Sequence, residues 1–214
     1  SAAPRAALGY SFTLILGLLA KLGLATDPKA DLEAGLSLIE SEAAGWQPEV
    51  RENANQAKQL ARWLEGGLPV MFGAEHLAPV ARRWTTQINE NSKSWATWFE
   101  YPELDHNLVV GLDLPDLAGA GDTGNRRLPR VCHLRSRHYG DRIIKRMDVT
   151  AELLEKAAID YRDIEPPEGA GRLGELLWSV WLGDFVSFYL AGLYGEDPTP
   201  VRPIDYLKRR LDER

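Results

Sequence analysis

Short apolar runs of strand length alternate along this chain with longer segments that have the apolar spacing of helices. The strand-like runs are Leu68–Phe72, Trp95–Phe99, Leu108–Leu112, Arg130–Arg135 and Tyr161–Ile164. The helical segments are Tyr10–Leu24, Asp31–Glu42, Asn53–Leu64, Leu77–Ser92, Thr150–Ala158 (with Thr150 as N-cap), Arg172–Leu193 and Ile204–Leu211. Because parallel strands need long crossovers, usually helical, this order predicts an α/β fold: a parallel sheet with helices on both faces.

The N-terminal segment combines Arg5 with the apolar run Tyr10–Ala20, an arrangement also found in signal peptides. Lys21 interrupts the run before it reaches the roughly 20 apolar residues that a membrane span needs. We therefore expect a buried helix and no membrane association. The chain does not begin with Met, so Ser1-Ala2 is compatible with a cloning remnant on a fragment whose native start lies upstream.

Composition excludes some classes of function. The 214 residues carry a formal net charge of -6, whereas a general nucleic-acid binder is expected to carry a basic excess. The single cysteine, Cys132, excludes an internal disulfide framework and favours a reducing cytoplasm.

Two motifs resemble ligand-binding sites, but the residues around them do not support binding. Gly119, Gly121 and Gly124 fit the dinucleotide fingerprint, but Pro129 and a polar stretch follow where a helix is required. They belong to a predicted loop, Leu114–Pro129. Cys132, His133 and His138 do not have the spacing of zinc ligands, so we predict neither a metal nor an organic cofactor.

The segment between residues 87 and 107 carries the strongest catalytic candidates. Glu90 lies near a predicted helix end between Asn89 and Asn91, and asparagine favours local polar contacts over helix packing. His106 follows sixteen positions later in a Pro-Glu-Leu-Asp-His-Asn block. Spacing alone leaves both open, because isolated glutamate and loop histidine are more often ordinary polar residues.

Several blocks follow one another along the chain: PVMFGAEHLAPVARRW from Pro69, TQINENSKSWA, YPELDHNLVVG, GDFVSFYL from Gly183, DPTPV from Asp197 and IDYLKRRL from Ile204. In this order they resemble the C-terminal SIS (sugar isomerase) domain of bacterial and archaeal bifunctional phosphoglucose/phosphomannose isomerases. The opening Pro4–Tyr10 also resembles the linker that leads into that domain. The resemblance implies an SIS-type three-layer αβα fold.

The resemblance also implies site residues. The general base of the family falls on Glu90, its histidine on His106 and its C-terminal lysine on Lys208. Glu90 would move a proton between C2 and C1 of a phosphorylated hexose through a cis-enediol. His106 and Lys208 would open the sugar ring, and the sequence does not assign the acid and the base between them. Without the resemblance, Lys208 would be interpreted as an ion-pair partner of Asp205 and Asp212 on one helical face.

The resemblance further implies partners. In the family, Ser/Thr-rich turns of a preceding N-terminal SIS domain hold the phosphate, and the serines of this chain are scattered. We therefore predict a C-terminal SIS domain over residues 1–195, a tail over 196–214 that carries Lys208, and an isolated chain without turnover. A homodimer that acts in cytoplasmic glycolysis and gluconeogenesis is also implied. The alternative is a non-catalytic SIS module that binds or senses sugar phosphates.

Overall fold

The computed structural model describes residues 7–113 and 128–213. The helices are α1 (Leu8–Lys21), α2 (Lys29–Ala43), α3 (Gln56–Leu64), α4 (Ala78–Ser92), α5 (Asp141–Lys156), α6 (Arg172–Leu193) and α7 (Arg202–Asp212). The strands are β1 (Leu68–Gly73), β2 (Thr97–Glu100), β3 (Pro129–Leu134) and β4 (Asp160–Ile164). The predicted loop with its three glycines lies outside the described residues, except for Leu128 and Pro129.

The four strands form one parallel sheet in the order β2-β1-β3-β4. The β1–α4–β2 and β3–α5–β4 crossovers step in opposite directions from the centre of the sheet. Since such crossovers are right-handed, α4 and α5 cover opposite faces. Helix α6 packs on the α4 side and also contacts α2 and α3. The predicted three-layer α/β fold is confirmed.

Close packing of α4 against α6 fixes the direction of α4. Gly183 of α6 lies directly under Trp84 of α4, where any larger side chain would collide with the indole ring. The indole Nε1 donates to the Ser179 carbonyl at 2.8 Å, so this fully buried tryptophan has its polar partner. Helix α6 is also long and apolar enough to cross a membrane by length and composition, and here it packs against three helices of the domain.

Two local predictions were wrong. Residues 108–113 form a 3-10 helix instead of a strand, because the Asn107 side chain accepts from the Leu108 amide at 2.7 Å and starts a turn. Thr150 is not an N-cap: α5 begins at Asp141 after Gly140, and Thr150 is buried inside it. Its hydroxyl instead donates to Asp105 at 3.3 Å.

Helix α1 forms as predicted, but the expectation that it is buried was wrong. None of its residues is buried, and large side chains such as Tyr10, Leu14 and Leu18 are more than half exposed. Only Leu8 and Phe12 line a cavity shared with α4 and α6. The apolar pattern predicted the helix correctly, but no other described element covers this face.

Candidate active site at the end of helix α4

Glu90 lies in the last turn of α4, as predicted, and its neighbours fix the position of that turn. The Asn91 amide donates to Ser187 Oγ at 2.9 Å, and Ser92 Oγ donates to the Ser187 carbonyl at 2.8 Å. Asn91 and Ser92 are buried against α6, to which the buried Ser187 belongs. On the other side, Asn89 Oδ1 accepts from the Ala96 amide at 2.9 Å, next to the start of β2. The half-buried Glu90 is therefore held on a rigid helix end.

A groove of about 590 Å³ opens beside this helix end, and we call it the Glu90 groove. Its lining residues are Asn89, Glu90, Lys93, Ser94, Trp95, Ala96, Val201, Pro203 and Ile204. The last three belong to the start of α7 or the residue before it, so two segments about a hundred residues apart in the sequence meet here. Trp95 is 85% exposed, which makes the lip of the groove strongly apolar next to the carboxylate.

Lys208 is exposed on α7, one turn beyond Ile204 and on the same helical face. Four residues of helix correspond to about 6 Å along the axis. No ion pair within 4.0 Å joins Lys208 to Asp205 or Asp212, all of which lie in the described part of the chain. The fold thus brings the helix that carries Lys208 to the Glu90 groove, and the alternative ion pairs do not form.

His106 is exposed and does not line the Glu90 groove. It follows the carboxyl end of β2, whereas Glu90 precedes the amino end of that strand. The length of four strand residues separates these ends by about 13 Å. Its neighbour Asp105 is tied to α5, where Arg146 donates to it at 2.7 Å. The fold of a single chain does not bring Glu90 and His106 together.

A second polar region lies at the carboxyl ends of β1 and β3, where the two crossovers diverge. Doubly wound folds usually bind ligands in this position. We call it the switch-point crevice and define it by Glu75, His76, Ser136, Tyr139 and Glu175. Glu175 is only 3% exposed; it accepts from the Ser136 hydroxyl and contacts His76 Nε2 at 2.9 Å. This carboxylate was not among the predicted site residues, although an acid in a long apolar helix indicates a buried polar partner.

Glu75 closes the same crevice from the side of β1. Its backbone has a φ of 43°, the left-handed region, which is uncommon for a residue with a side chain. One carboxylate oxygen accepts from the Gly140 amide at 3.0 Å and the other from Arg172 at 2.6 Å. Gly140 is the N-cap of α5, so Glu75 occupies the position that helix N-termini offer to anions.

His133, which the sequence placed among three rejected metal ligands, lies in a buried chain of polar contacts. Its Nε2 is 2.5 Å from the Tyr101 hydroxyl and its Nδ1 is 3.2 Å from Asp163. Burial lowers the pKa of His133 and raises that of Tyr101. Burial also raises the pKa of the Cys132 thiol to about 12. Among the described residues, no group of three His, Cys, Asp or Glu side chains could hold a metal ion.

The charges beside His133 are also paired within the chain. Arg135 donates to Asp163 at 3.0 Å and to Asp148 at 2.8 Å. Burial alone would raise the pKa of Asp163, but the hydrogen bonds from His133 and Arg135 outweigh it and lower that pKa. These residues border a cavity of about 310 Å³ that the exposed Glu165 also lines. The carboxyl edge of the sheet is thus rich in charge, and its buried charges have partners.

The sheet order and the groove define a doubly wound α/β domain, and comparison with known proteins gives its family. Residues 53–211 match the family described as the bacterial phospho-glucose isomerase C-terminal SIS domain, and the chain belongs to this family. Over 212 residues it is 39% identical to the bifunctional phosphoglucose/phosphomannose isomerase of Caldicellulosiruptor bescii, covering 98% of this chain and 60% of the relative. The enzyme of the same name from Aquifex aeolicus is 32% identical, with 97% and 58% covered.

Solved structures agree on the fold. A glucose-6-phosphate isomerase like protein from Thermus thermophilus superposes with a TM-score of 0.66 at 22% identity, covering 88% of this chain and 59% of that one. The C-terminal domain of glucosamine-fructose-6-phosphate aminotransferase from Francisella tularensis gives 0.55 at 13% identity, covering 82% and 49%. The chain therefore spans about three fifths of the length of the curated relatives it matches.

Proposed function

We propose that this chain is the part of a phosphoglucose/phosphomannose isomerase that carries the catalytic residues. It would interconvert glucose 6-phosphate, and mannose 6-phosphate, with fructose 6-phosphate in cytoplasmic glycolysis and gluconeogenesis. The observation that carries the proposal is the placement of Glu90: a carboxylate on an anchored helix end, in a groove whose other wall leads into the helix of Lys208. The names of the relatives support the substrate class.

In this proposal, Glu90 removes the proton from C2 of the open-chain aldose. The C1 carbonyl oxygen takes up a proton from water as the C1–C2 bond becomes the double bond of a cis-enediol. Glu90, now protonated, returns its proton to C1, while the C2 hydroxyl releases its own proton to water and becomes the ketone. One positioned carboxylate serves both steps, because the proton leaves and returns on the same face. Ring opening needs a further acid and base, and His106 and Lys208 take these two roles.

The phosphate of the substrate would be held outside this chain. The switch-point crevice, where a doubly wound domain usually takes its ligand, carries the carboxylates of Glu75 and Glu175, which accept hydrogen bonds from donors of the same chain. Two carboxylates there would repel a phosphate. We propose that residues 1–195 form the C-terminal SIS domain and 196–214 its tail, and that a second SIS domain supplies the phosphate site.

The histidine would come from a second copy of the chain. Because β2 separates Glu90 from His106 within one chain, a complete site needs the His106 of a neighbouring molecule. In a symmetric dimer, each groove would then receive the histidine loop of the partner.

Proton exchange tests the activity. An isomerase introduces solvent deuterium at C2 of the hexose phosphate, whereas a module that only senses sugar phosphates does not. We expect no exchange from the 214-residue chain alone. We expect exchange after it is joined to the N-terminal part of the Caldicellulosiruptor bescii relative, a protein that we call the joined protein. Exchange by the isolated chain would contradict the need for a second domain, and none from either protein would contradict the isomerase.

Mixing two inactive variants tests the dimer. In the joined protein, Glu90→Gln and His106→Gln each remove one half of the site. If the halves come from different chains, a re-equilibrated equal mixture of the variants should regain about a quarter of the wild-type turnover, because half of the dimers contain one intact site of two. A mixture as inactive as its components would show that the site lies within one chain.

A further inference from the structure

Lys93 follows the last turn of α4 in a backbone conformation that residues with a side chain rarely adopt. Its φ of 54° places it in the left-handed region, and it is the residue immediately after the last turn of the helix. Helices commonly end in this way, but the position is usually filled by glycine, because glycine has no Cβ and adopts this conformation without strain. A lysine here therefore has to be explained by what its side chain does.

The side chain spans two segments of the groove. Its ammonium donates to the Glu90 carbonyl at 2.5 Å and to the Pro198 carbonyl at 3.3 Å. The first carbonyl belongs to the last turn of α4, where no further helical amide is available to it. The second belongs to the segment that leads into α7. One ammonium thus connects the backbone of the proposed base to the segment that carries Lys208. We call residues 196–212, which comprise this segment and α7, the arm.

The charge around the arm agrees with this placement. Asp197 precedes Pro198 and forms a tight turn in which its carboxylate accepts from the Thr199 amide at 2.8 Å. Hydrogen bonds with Thr199 lower the pKa of Asp197 most strongly, and the nearby positive charges of Lys93 and Arg202 lower it further. The lysine ammonium therefore lies within electrostatic range of Asp197 and within hydrogen-bond distance of the Pro198 carbonyl.

We propose that Lys93 is a positioning residue that sets the distance between Glu90 and the α7 helix of Lys208. This inference rests on the proposed function for its catalytic consequence, whereas its structural part does not. Lys93 does not act on the substrate in this proposal. It holds two elements so that a base on one and a ring-opening group on the other face the same hexose.

The first test measures the distance directly, on the 214-residue chain. Spin labels are placed on exposed cysteines at Thr86→Cys of α4 and Arg209→Cys of α7, while the native Cys132 is buried and not labelled. We expect one narrow distance with Lys93, loss of that single distance in Lys93→Gly, and its return in Lys93→Arg, which restores two-point donation. An unchanged distribution in Lys93→Gly would overturn the proposal.

Glycine also separates positioning from helix capping. Because Lys93→Gly relieves the left-handed strain, a capping role alone predicts equal or higher stability and unchanged turnover. The proposal predicts unimpaired stability but a kcat reduced about 10- to 100-fold in the joined protein, with KM little changed, as expected for misplaced catalytic groups. Lys93→Arg should recover most of the kcat.

The outcomes distinguish the two proposals. A wild-type kcat in Lys93→Gly, together with a Glu90→Gln variant that has lost turnover, would overturn the positioning role and leave the isomerase intact. Full turnover in Glu90→Gln would instead contradict the proposed function, and the distance measurement would still decide whether Lys93 sets the arm.

Discussion

The Glu90 groove and the switch-point crevice lie at opposite ends of one sheet, and each places a glutamate beside a cavity. In the crevice, the carboxylates of Glu75 and Glu175 are bound by backbone amides, hydroxyls or arginine of the same chain. In the groove, the residues around Glu90 make the structural hydrogen bonds, and the carboxylate of Glu90 lines an open cavity. If Glu90 is the base, as proposed, the position of a crevice in a doubly wound fold does not by itself identify the reactive site.

Replacement of Glu90 should change turnover more than any other substitution discussed below. In the joined protein, Glu90→Gln should lower kcat about 10³-fold, because the amide cannot accept the C2 proton. Circular dichroism and the unfolding midpoint should not change. Glu165→Gln, an exposed carboxylate beside the crevice, is the matched control and should keep wild-type turnover. Equal losses of kcat in both variants would show that the effect is not specific to the carboxylate in the groove.

A change in the crevice should act on stability instead. Glu175→Ala leaves the buried Ser136 hydroxyl and His76 without their acceptor, so the free energy of unfolding should fall by about 1–3 kcal/mol. Urea denaturation of the 214-residue chain measures it. Glu168→Ala removes a carboxylate that is 85% exposed in its pair with Arg137, and should cost less than about 1 kcal/mol. If Glu168→Ala lowered the free energy of unfolding as much as Glu175→Ala, burial would not explain the contribution of Glu175 to stability.

The smallest expected effect concerns pH. Burial lowers the folded-state pKa of His133 below 6.5, so the unfolded chain binds the proton more readily. The free energy of unfolding should therefore decrease as the pH falls from about 7 to about 5. The corresponding effect of Asp163, whose pKa is lowered from 3.8, begins only at lower pH. Asp184, whose pKa is raised by burial, works in the opposite direction.

Comparison with His133→Gln isolates the histidine in these denaturation curves. The variant should show a weaker decline of unfolding free energy between about pH 7 and 5, because the proton uptake of unfolded His133 is removed. Identical slopes in the two proteins would assign the pH dependence to other groups.

Patterns within one segment predicted much of the fold. The bounds of α6 agree with its apolar run, Arg172–Leu193, and β1 agrees with its apolar run apart from one residue. The start of α5 could not be predicted, because Gly140 offers no capping side chain. Its amide is instead bound by Glu75, 65 residues away. The exposure of α1 is equally invisible to periodicity, which identifies a helical face but not what covers it.

The candidate site was predictable only in part. Asparagines on both sides of Glu90 indicated a helix end with polar contacts, and the structure confirms that helix end. The roles of Glu90, His106 and Lys208 came from family resemblance and stay predictions. The approach of α7 to Glu90 depends on tertiary contacts between residues about a hundred positions apart, such as Lys93 and Pro198. No local pattern encodes such contacts.

The Glu75 carboxylate at the N-terminus of α5 affects the number of ligands that the protein should bind. In the two-domain protein proposed above, two equivalent crevices would bind two hexose phosphates per chain. Because the Glu75 carboxylate already accepts from Gly140 and Arg172 in the crevice of this domain, we expect a titration to give one. Replacing Glu75 with glycine would remove both the left-handed strain and the occupant, and would make a second, lower-affinity equivalent of ligand the sign of a vacated crevice.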